Sequence, residues 1–245
     1  MNGPRTPGSA GDTSWPHGTL MSRLDPEAAD ELLHLAAGRE VAVGTVIIRA
    51  GGPGTHACLL RSPHRSRSAC VKVTATSETG IESMLGIRAG GDIVGELAVL
   101  GLEARSATVT TCSALTVHAI PADTFMAFLS RRPQAWSALS LMIAERLEWS
   151  NRRRVDHAGH DSTVQIARVI AEILDLYGYR THDGPEELGV RLSQPELGSL
   201  VGASKEAAAK AIRQMRDMGL LTTSYRRIIV LDSAGLRSFA RLTTQ

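Results

Sequence analysis

From about Glu40 to Pro121 the apolar residues come in short runs rich in β-branched side chains, broken by Gly and Pro. The runs are Val41–Ile48, Cys70–Thr76, Met84–Ile87, Ala107–Thr111 and Leu115–Ile120. Short strands between turn clusters such as Gly51-Gly52-Pro53-Gly54 predict a small antiparallel β barrel or roll. On both sides the spacing becomes helical. Upstream, Asp25 is placed as an N-cap and Pro26 as the first helical residue. Leu32, Leu33 and Leu35 then predict a short helix closing near Gly38. Downstream, Ala122–Leu129 predicts another short helix, broken at Pro133. From Gln134 to about His157 there is neither Gly nor Pro, and Trp136, Leu139, Ile143 and Leu147 recur close to a heptad spacing. Past Leu147 the stripe turns polar, at Ser150, Asn151 and Arg154. A helix this long with such a stripe wants a partner. The pattern predicts a parallel dimer helix, with packing on its own domain alone as the competing arrangement. Gly159 relaxes the helix, and Asp161 caps a new one over Val164–Tyr177.

The C-terminal part carries denser local signals. Ser193 and Glu196 have capping-box spacing at the start of a helix over Pro195–Val201, with Leu197, Leu200 and Val201 inward. Gly202 supplies a tight turn and Ser204 caps a second helix, Lys205 to about Met218, whose buried stripe is Ala208, Ala211, Ile212 and Met215. Gly219 ends it. Leu220–Thr223, a turn at Ser224–Arg227 and Ile228–Leu231 then predict a β-hairpin. Helix, Gly turn, capped helix and hairpin make a winged helix-turn-helix. Residues 186–245 hold nine Lys and Arg against six Asp and Glu, and Lys205, Lys210, Arg213, Arg226 and Arg227 cluster where a duplex would lie. Lys205, Glu206 and Lys210 project from one end of the second helix, the place from which base edges are read.

Composition narrows this further. Aromatics are only 4% of the 245 residues, which argues against base-stacking platforms for single strands. The net charge of +2 is too small to decide anything by itself. Cys58, Cys70 and Cys112 are far apart, with no ligand spacing, and read as reduced thiols of a cytoplasmic protein. No metal site is expected, and His157 and His160 read as solvated or hinge-packing residues. No apolar run approaches the roughly 18 residues that span a bilayer, so no membrane contact is expected. Residues 1–18, rich in Gly, Pro, Ser and Thr, read as a disordered leader. The basic stretch from Arg61 through Arg65 and Arg67 to Ser68 reads as a solvated loop, with a contact to polymerase or to the DNA backbone as the alternative.

The candidate chemistry lies in Gly95-Glu96-Leu97-Ala98 and Arg105-Ser106-Ala107-Thr108. Arg105 can fork onto a phosphate and Ser106 can add a hydroxyl. Glu96, an acceptor when ionised, would repel that phosphate and so must serve hydroxyls at the other end of the ligand. No nucleophile–base pair, metal cluster or Walker loop accompanies them, and no catalytic activity is expected.

In residue type, order and spacing this stretch resembles the phosphate-binding cassette of cyclic-nucleotide-binding domains. With the long helix and the winged helix-turn-helix, residues 20–240 resemble the cyclic-AMP receptor protein/FNR family of bacterial transcription regulators. The resemblance implies an α+β fold: a leader over 1–18, a jelly-roll-like cyclic-nucleotide-binding β-roll over 19–133, a dimerisation helix and hinge over 134–160, and a DNA-binding domain over 161–245. It implies cyclic AMP as ligand, with Glu96 on the ribose 2′-hydroxyl, Arg105 and Ser106 on the cyclic phosphate, and Gly95, Leu97, Ala98 and Ala107 beside them. Ser150 and Asn151 stand where the family touches adenine. It implies double-stranded DNA with a palindromic operator as partner, together with a second copy of the chain and RNA polymerase. Ser193, Gln194, Ser204, Lys205, Glu206, Lys210, Arg226 and Arg227 are the DNA-facing residues it implies. The family's Arg-Glu-x-x-x-Arg reader appears as Lys205-Glu206-Ala207-Ala208-Ala209-Lys210, and the usual Gly turn before Val71 is missing. Two functions stay open: regulation by cyclic AMP, and DNA binding on the same fold that is constitutive or answers another ligand.

Overall fold

The computed structural model describes residues 15–63, 69–80, 82–101, 104–181 and 184–242, with the side chain of His157 outside it. Residues 1–14 of the expected leader and Arg65 and Arg67 of the basic loop also lie outside the described residues. Of the leader's described residues, Trp15, Pro16 and Gly18 are partly buried and His17 is exposed. Thr19, Leu20 and Met21 are buried, and a short 3-10 turn runs over Met21–Arg23. Helix α1 (Pro26–His34) begins as expected, with the Asp25 carboxylate accepting from the Ala28 N–H at 2.8 Å. Gly38 does not close it, however; it opens the first strand.

Eight strands follow: β1 (Gly38–Val41), β2 (Val46–Ile48), β3 (His56–Arg61), β4 (Cys70–Thr76), β5 (Glu82–Ala89), β6 (Ile93–Val94), β7 (Thr108–Thr111) and β8 (Leu115–Pro121), with a one-turn helix α2 (Glu96–Val99) after β6. They form two antiparallel sheets, ordered β1-β8-β3-β6 and β2-β7-β4-β5, folded face to face as a roll. Val41, Leu60, Val71, Val109 and Val117 fill the space between them. A second core joins the outer face of the first sheet to α1, α3 (Ala122–Arg131) and α4 (Pro133–Gly159), around Phe125, Phe128, Leu59 and Ile120.

α4 is a single helix of 27 residues. The heptad stripe read from its sequence is divided. Leu139 goes into its own domain's core with Ala135, Ala138 and Met142, whereas Trp136 and Leu147 stay on the surface. The reason is that the helix drapes across the roll, so one of its faces is taken internally and the next is left free.

α5 (Ser162–Tyr177) is capped by Asp161, which accepts from the Thr163 and Val164 N–H groups. Short strands β9 (Tyr179–Arg180) and β10 (Glu186–Glu187) lead to α6 (Gln194–Leu200) and α7 (Lys205–Asp217). The wing, β11 (Leu221–Ser224) and β12 (Arg227–Val230), completes a sheet ordered β11-β12-β10-β9, and α8 (Ser233–Phe239) closes the chain. Gly202, with φ of +67°, makes the turn between α6 and α7 that only glycine adopts at low cost. The two halves share one core. Cys70, Met84, Ile87 and Cys112 of the roll pack with Ile170, Leu197 and Leu200. Ion pairs reinforce the junction, notably Arg168 with Asp156 at 2.6 Å.

Candidate functional site

A cavity of about 470 Å³ lies between the roll and α4, within the roughly 300–1,000 Å³ range of small-molecule sites. Sheet residues Val73 and Val109 form its floor, and Ile143, Leu147 and Ser150 of α4 its cover. Gly95 enters α2 with φ of +80°. A Cβ there would lie 2.5 Å from Arg105 Nη1 and 2.7 Å from Ile48 Cδ1, so both backbone and space demand glycine. Glu96 and Arg105 face the cavity, each only 5% exposed. Leu97, Ala98, Ser106 and Ala107 line it too, and the Ser106 side is open to solvent.

Arg105 is anchored by backbone. Its Nη1 donates to the Gly95 carbonyl at 2.7 Å and its Nη2 to the His56 carbonyl at 2.5 Å. Two of five donors are thus engaged, which leaves the fork able to take an anion. Burial pulls its pKa below the ordinary value, with the Glu96 charge among the opposing influences. Burial, and then the charge of Arg105, also lowers the pKa of His56.

Glu96 is held from α4. Arg146 donates to Glu96 Oε1 at 2.7 Å, to Asp92 Oδ1 at 2.7 Å and to the Ile93 carbonyl at 3.0 Å. Burial disfavours the Arg146 charge, but the Asp92 and Glu96 carboxylates outweigh that and raise its pKa. Sequence reasoning did not single out Arg146. Its position four residues before Ser150, on the same helix face, is the signal that could have found it. Asn151 does not line this cavity. It is exposed and lines a different cavity with Glu148 and Val155, because one residue along an α-helix turns the side chain by about 100°.

The second candidate surface is on α6 and α7. Ser193 and Glu196 form the expected capping box, and the Ser204 hydroxyl accepts from the Ala207 N–H at 3.2 Å. Ala208, Ala211, Ile212 and Met215 are buried, so Lys205, Glu206 and Lys210 project outward. Among the described residues none of these three makes an ion pair. Ser193 and Gln194 sit half-buried at the start of α6.

Arg226 and Arg227, expected to face DNA, are each paired with a carboxylate. Arg226 Nη2 lies 2.8 Å from Glu196 Oε2. Arg227 closes bidentately on Glu187, at 2.9 and 2.5 Å. Glu187 is buried and needs a charged partner, and that need turns the wing's guanidinium inward. Tyr225, 84% exposed, occupies the tip instead.

Glu196 ties these pieces together. It caps α6, pairs with Arg226 and accepts from the Cys112 thiol of the roll at 3.9 Å. Burial alone would raise its pKa, but the hydrogen bonds from Ser193 and the charge of Arg226 prevail and hold it below 4.5. A depressed carboxylate pKa adds stability above the unfolded value, lost as pH falls through the folded one. Wild-type protein should therefore lose more stability than Glu196→Gln between about pH 6 and pH 3 in urea melts. At neutral pH the variant should be weaker by about 1–3 kcal/mol. Parallel acid limbs would refute this role.

Among the described residues there is no group of three or more His, Cys, Asp or Glu able to hold a metal ion, and no helix long and apolar enough to cross a membrane. Residues 38–132 match the family model for the cyclic nucleotide-binding domain, and residues 167–239 that for the Crp-like helix-turn-helix domain. A CRP-like cAMP-activated global transcriptional regulator of Mycobacterium tuberculosis is 24% identical over 81% of this chain and 85% of its own length. The cAMP-activated global transcriptional regulator CRP of Escherichia coli is 28% identical over 65% of this chain and 76% of its own. Among solved structures, FixK2 from Bradyrhizobium japonicum superposes with a TM-score of 0.69 at 14% identity, covering 86% of this chain and 98% of that one. The c-di-GMP responsive regulator CLP from Xanthomonas campestris gives 0.65 at 20%, covering 84% and 99%.

Proposed function

Since this chain belongs to the cyclic-AMP receptor protein/FNR family of transcription regulators, we propose that it is a homodimer whose affinity for a palindromic DNA operator is set by a cyclic nucleotide, cyclic AMP in the first instance. The observation that carries this reading is the pairing of Glu96 and Arg105 in one buried cavity covered by α4. Arg105 takes the cyclic phosphate with Ser106. Glu96 Oε1 is held by Arg146, and its other oxygen accepts the ribose hydroxyl. Ser150 faces the base. A ligand wedged between cassette and α4 shifts the DNA-binding halves only through contacts that differ between two arrangements, typically about 1–3 kcal/mol of coupling. The same reading makes the protein a cytoplasmic one that works with RNA polymerase, with no catalysis of its own.

One observation favours a second reading. Among the described residues the cavity walls carry Arg88, Arg105, Arg146 and Arg154 against one carboxylate, Glu96, which also suits an anion of higher charge. One similar structure is described as c-di-GMP responsive. Calorimetric titration with cyclic AMP, cyclic GMP and cyclic di-GMP separates the readings. Tight cyclic AMP binding that also raises or lowers operator affinity supports the first. Indifference to all three, with DNA bound constitutively, rejects it.

On DNA, Lys205→Ala and Lys210→Ala should each weaken binding and lower the slope of log K against log salt by about 0.9 for each phosphate that is no longer neutralised. Glu206→Ala should instead relax base preference, by about 1–3 kcal/mol at one base pair, in competition binding to single-base operator variants. Arg227→Ala should leave the salt slope unchanged, since its charge already serves Glu187. Equal salt slopes for wild type and the lysine variants would remove α7 from the interface.

A further inference from the structure

A smaller cavity, about 250 Å³, opens on the neighbouring face of α4, between the roll, α5 and the segment before α1. Met142, Ile173 and Leu176 supply aliphatic wall, and Trp149 and Tyr177 add aromatic surface. The polar ends of both aromatic rings are engaged elsewhere. Trp149 Nε1 donates to Glu172 at 2.6 Å and the Tyr177 hydroxyl to the Ile87 carbonyl at 3.3 Å. What they offer the cavity is therefore apolar.

Among the described residues, the Arg, Asp and Glu side chains at its edge form ion pairs of 3.4 Å or less, except that Arg88 is held more loosely. Arg23 closes on Glu145, Arg146 on Asp92 and Glu96, and Arg152 on Glu148. Arg88 remains. Its Nη1 donates to the carbonyl of its own neighbour, Ile87, at 2.6 Å. Its nearest carboxylate partner, Asp92, is 3.9 Å from Nε and already binds Arg146 at 2.7 Å. The Arg88 side chain is only 16% exposed. Burial, followed by repulsion from Arg146, lowers its pKa. A desolvated guanidinium without a close carboxylate, at the edge of an apolar space, is a carboxylate receptor.

We propose that this cavity binds a small organic acid, with its carboxylate on Arg88 and an aryl or short acyl tail among Met142, Ile173 and Leu176. The site is separate from the proposed nucleotide cavity, although Arg88 and Arg146 border both. Its walls come from both halves of the chain, and the Gly18 N–H donates to the Leu176 carbonyl across its entrance at 3.3 Å. An occupant therefore touches the roll, α4 and α5 at once, and the acid can bias how the DNA-binding half sits.

The test uses the full chain with Trp15→Phe and Trp136→Phe, which leaves Trp149 as the one tryptophan of three. Phenylacetate, octanoate and the neutral phenylacetamide are titrated by calorimetry and by Trp149 emission. Saturable binding of an acid with a change in emission is expected, and the amide should bind about ten- to a hundredfold more weakly, the worth of a charge-assisted contact. Arg88→Met should remove the acid's advantage and Arg88→Lys should keep part of it. Leu176→Trp, which fills the space, should block all three compounds in calorimetry even if Arg88→Met does not fold. The nucleotide cavity touches Arg88 but not Trp149, so dependence on the one and a response from the other together locate the acid here. No saturable binding, equal affinity for acid and amide, or binding without a Trp149 response overturns the proposal.

Discussion

Arg105→Ala should abolish cyclic-nucleotide binding and weaken the roll in the same stroke. The binding loss follows from charge. Two bonds from a buried guanidinium to a phosphate contribute about 1.5–3 kcal/mol each, so affinity should fall on the order of a hundredfold or more. The stability loss follows from what else Arg105 holds. Its Nη1 and Nη2 satisfy the carbonyls of Gly95 and His56, and each buried carbonyl left without a donor costs about 1–3 kcal/mol. Arg105→Lys keeps the charge, but a single ammonium cannot span both carbonyls and the ligand. It should recover part of the stability and little of the affinity. Ser106→Ala is the contrasting case: the residue is exposed, so affinity should drop modestly and stability stay put. The readouts are calorimetric Kd and the urea midpoint, for all three variants. Wild-type affinity in a folded Arg105→Ala protein would remove the phosphate role. Unchanged stability would show that the carbonyls find water or other donors.

How far the chain could be read depended on the range of the interaction. Caps and turns involve neighbours three or four residues apart. Asp25, Asp161, the Ser193/Glu196 box and Ser204 were therefore legible, and all four hold helix ends in the structure. The inward stripe of α7 was legible for the same reason. β3 was not. Ala57, Cys58, Leu59 and Leu60 are all buried, because the strand lies between β8 and β6 with both faces covered, and a strand like that shows no alternation. Long-range partners were also hidden. Glu96 and Arg105 stood out by type and spacing, but nothing local says that Arg146 reaches Glu96 across 50 positions, or that Arg226 turns to Glu196. The junction core was invisible too, since Met84 and Ile87 read only as strand residues. The cavity was thus half legible: the cassette's own residues and the polar stripe of α4 with Ser150 and Arg154 could be named, whereas Arg88 of β5 and Arg146 of α4 were not.

The same distinction between face and partner governs the last expected result: Leu147→Glu should leave the chain monomeric and its operator affinity at least a hundredfold lower. Leu147 is 63% exposed and Trp136 43%. Eleven residues separate them, about three turns, so they share one edge of α4 within about 20°. Ser140 and Ala144 lie between them, also exposed, and small enough to let a second helix approach closely. Asn151, turned away from its own cavity, continues that edge toward the partner in the proposed dimer. Full burial of a leucine contributes about 1.5–3 kcal/mol. In a twofold dimer the residue counts twice, and two glutamates would then face each other in a desolvated seam. The dimer constant should therefore drop by two orders of magnitude or more. Operator affinity should follow, because a palindrome held by one half-site loses the effective concentration that joins the second. Leu147 also lines the ligand cavity, so a fall in DNA binding alone would be ambiguous. Trp136→Glu removes the ambiguity, as it lies outside that cavity, about two turns before Ile143, its first α4 residue, and on the same edge as Leu147. Sedimentation and operator binding should move together in both variants. A dimer that survives both would mean that α4 keeps this edge for something other than a second copy of itself.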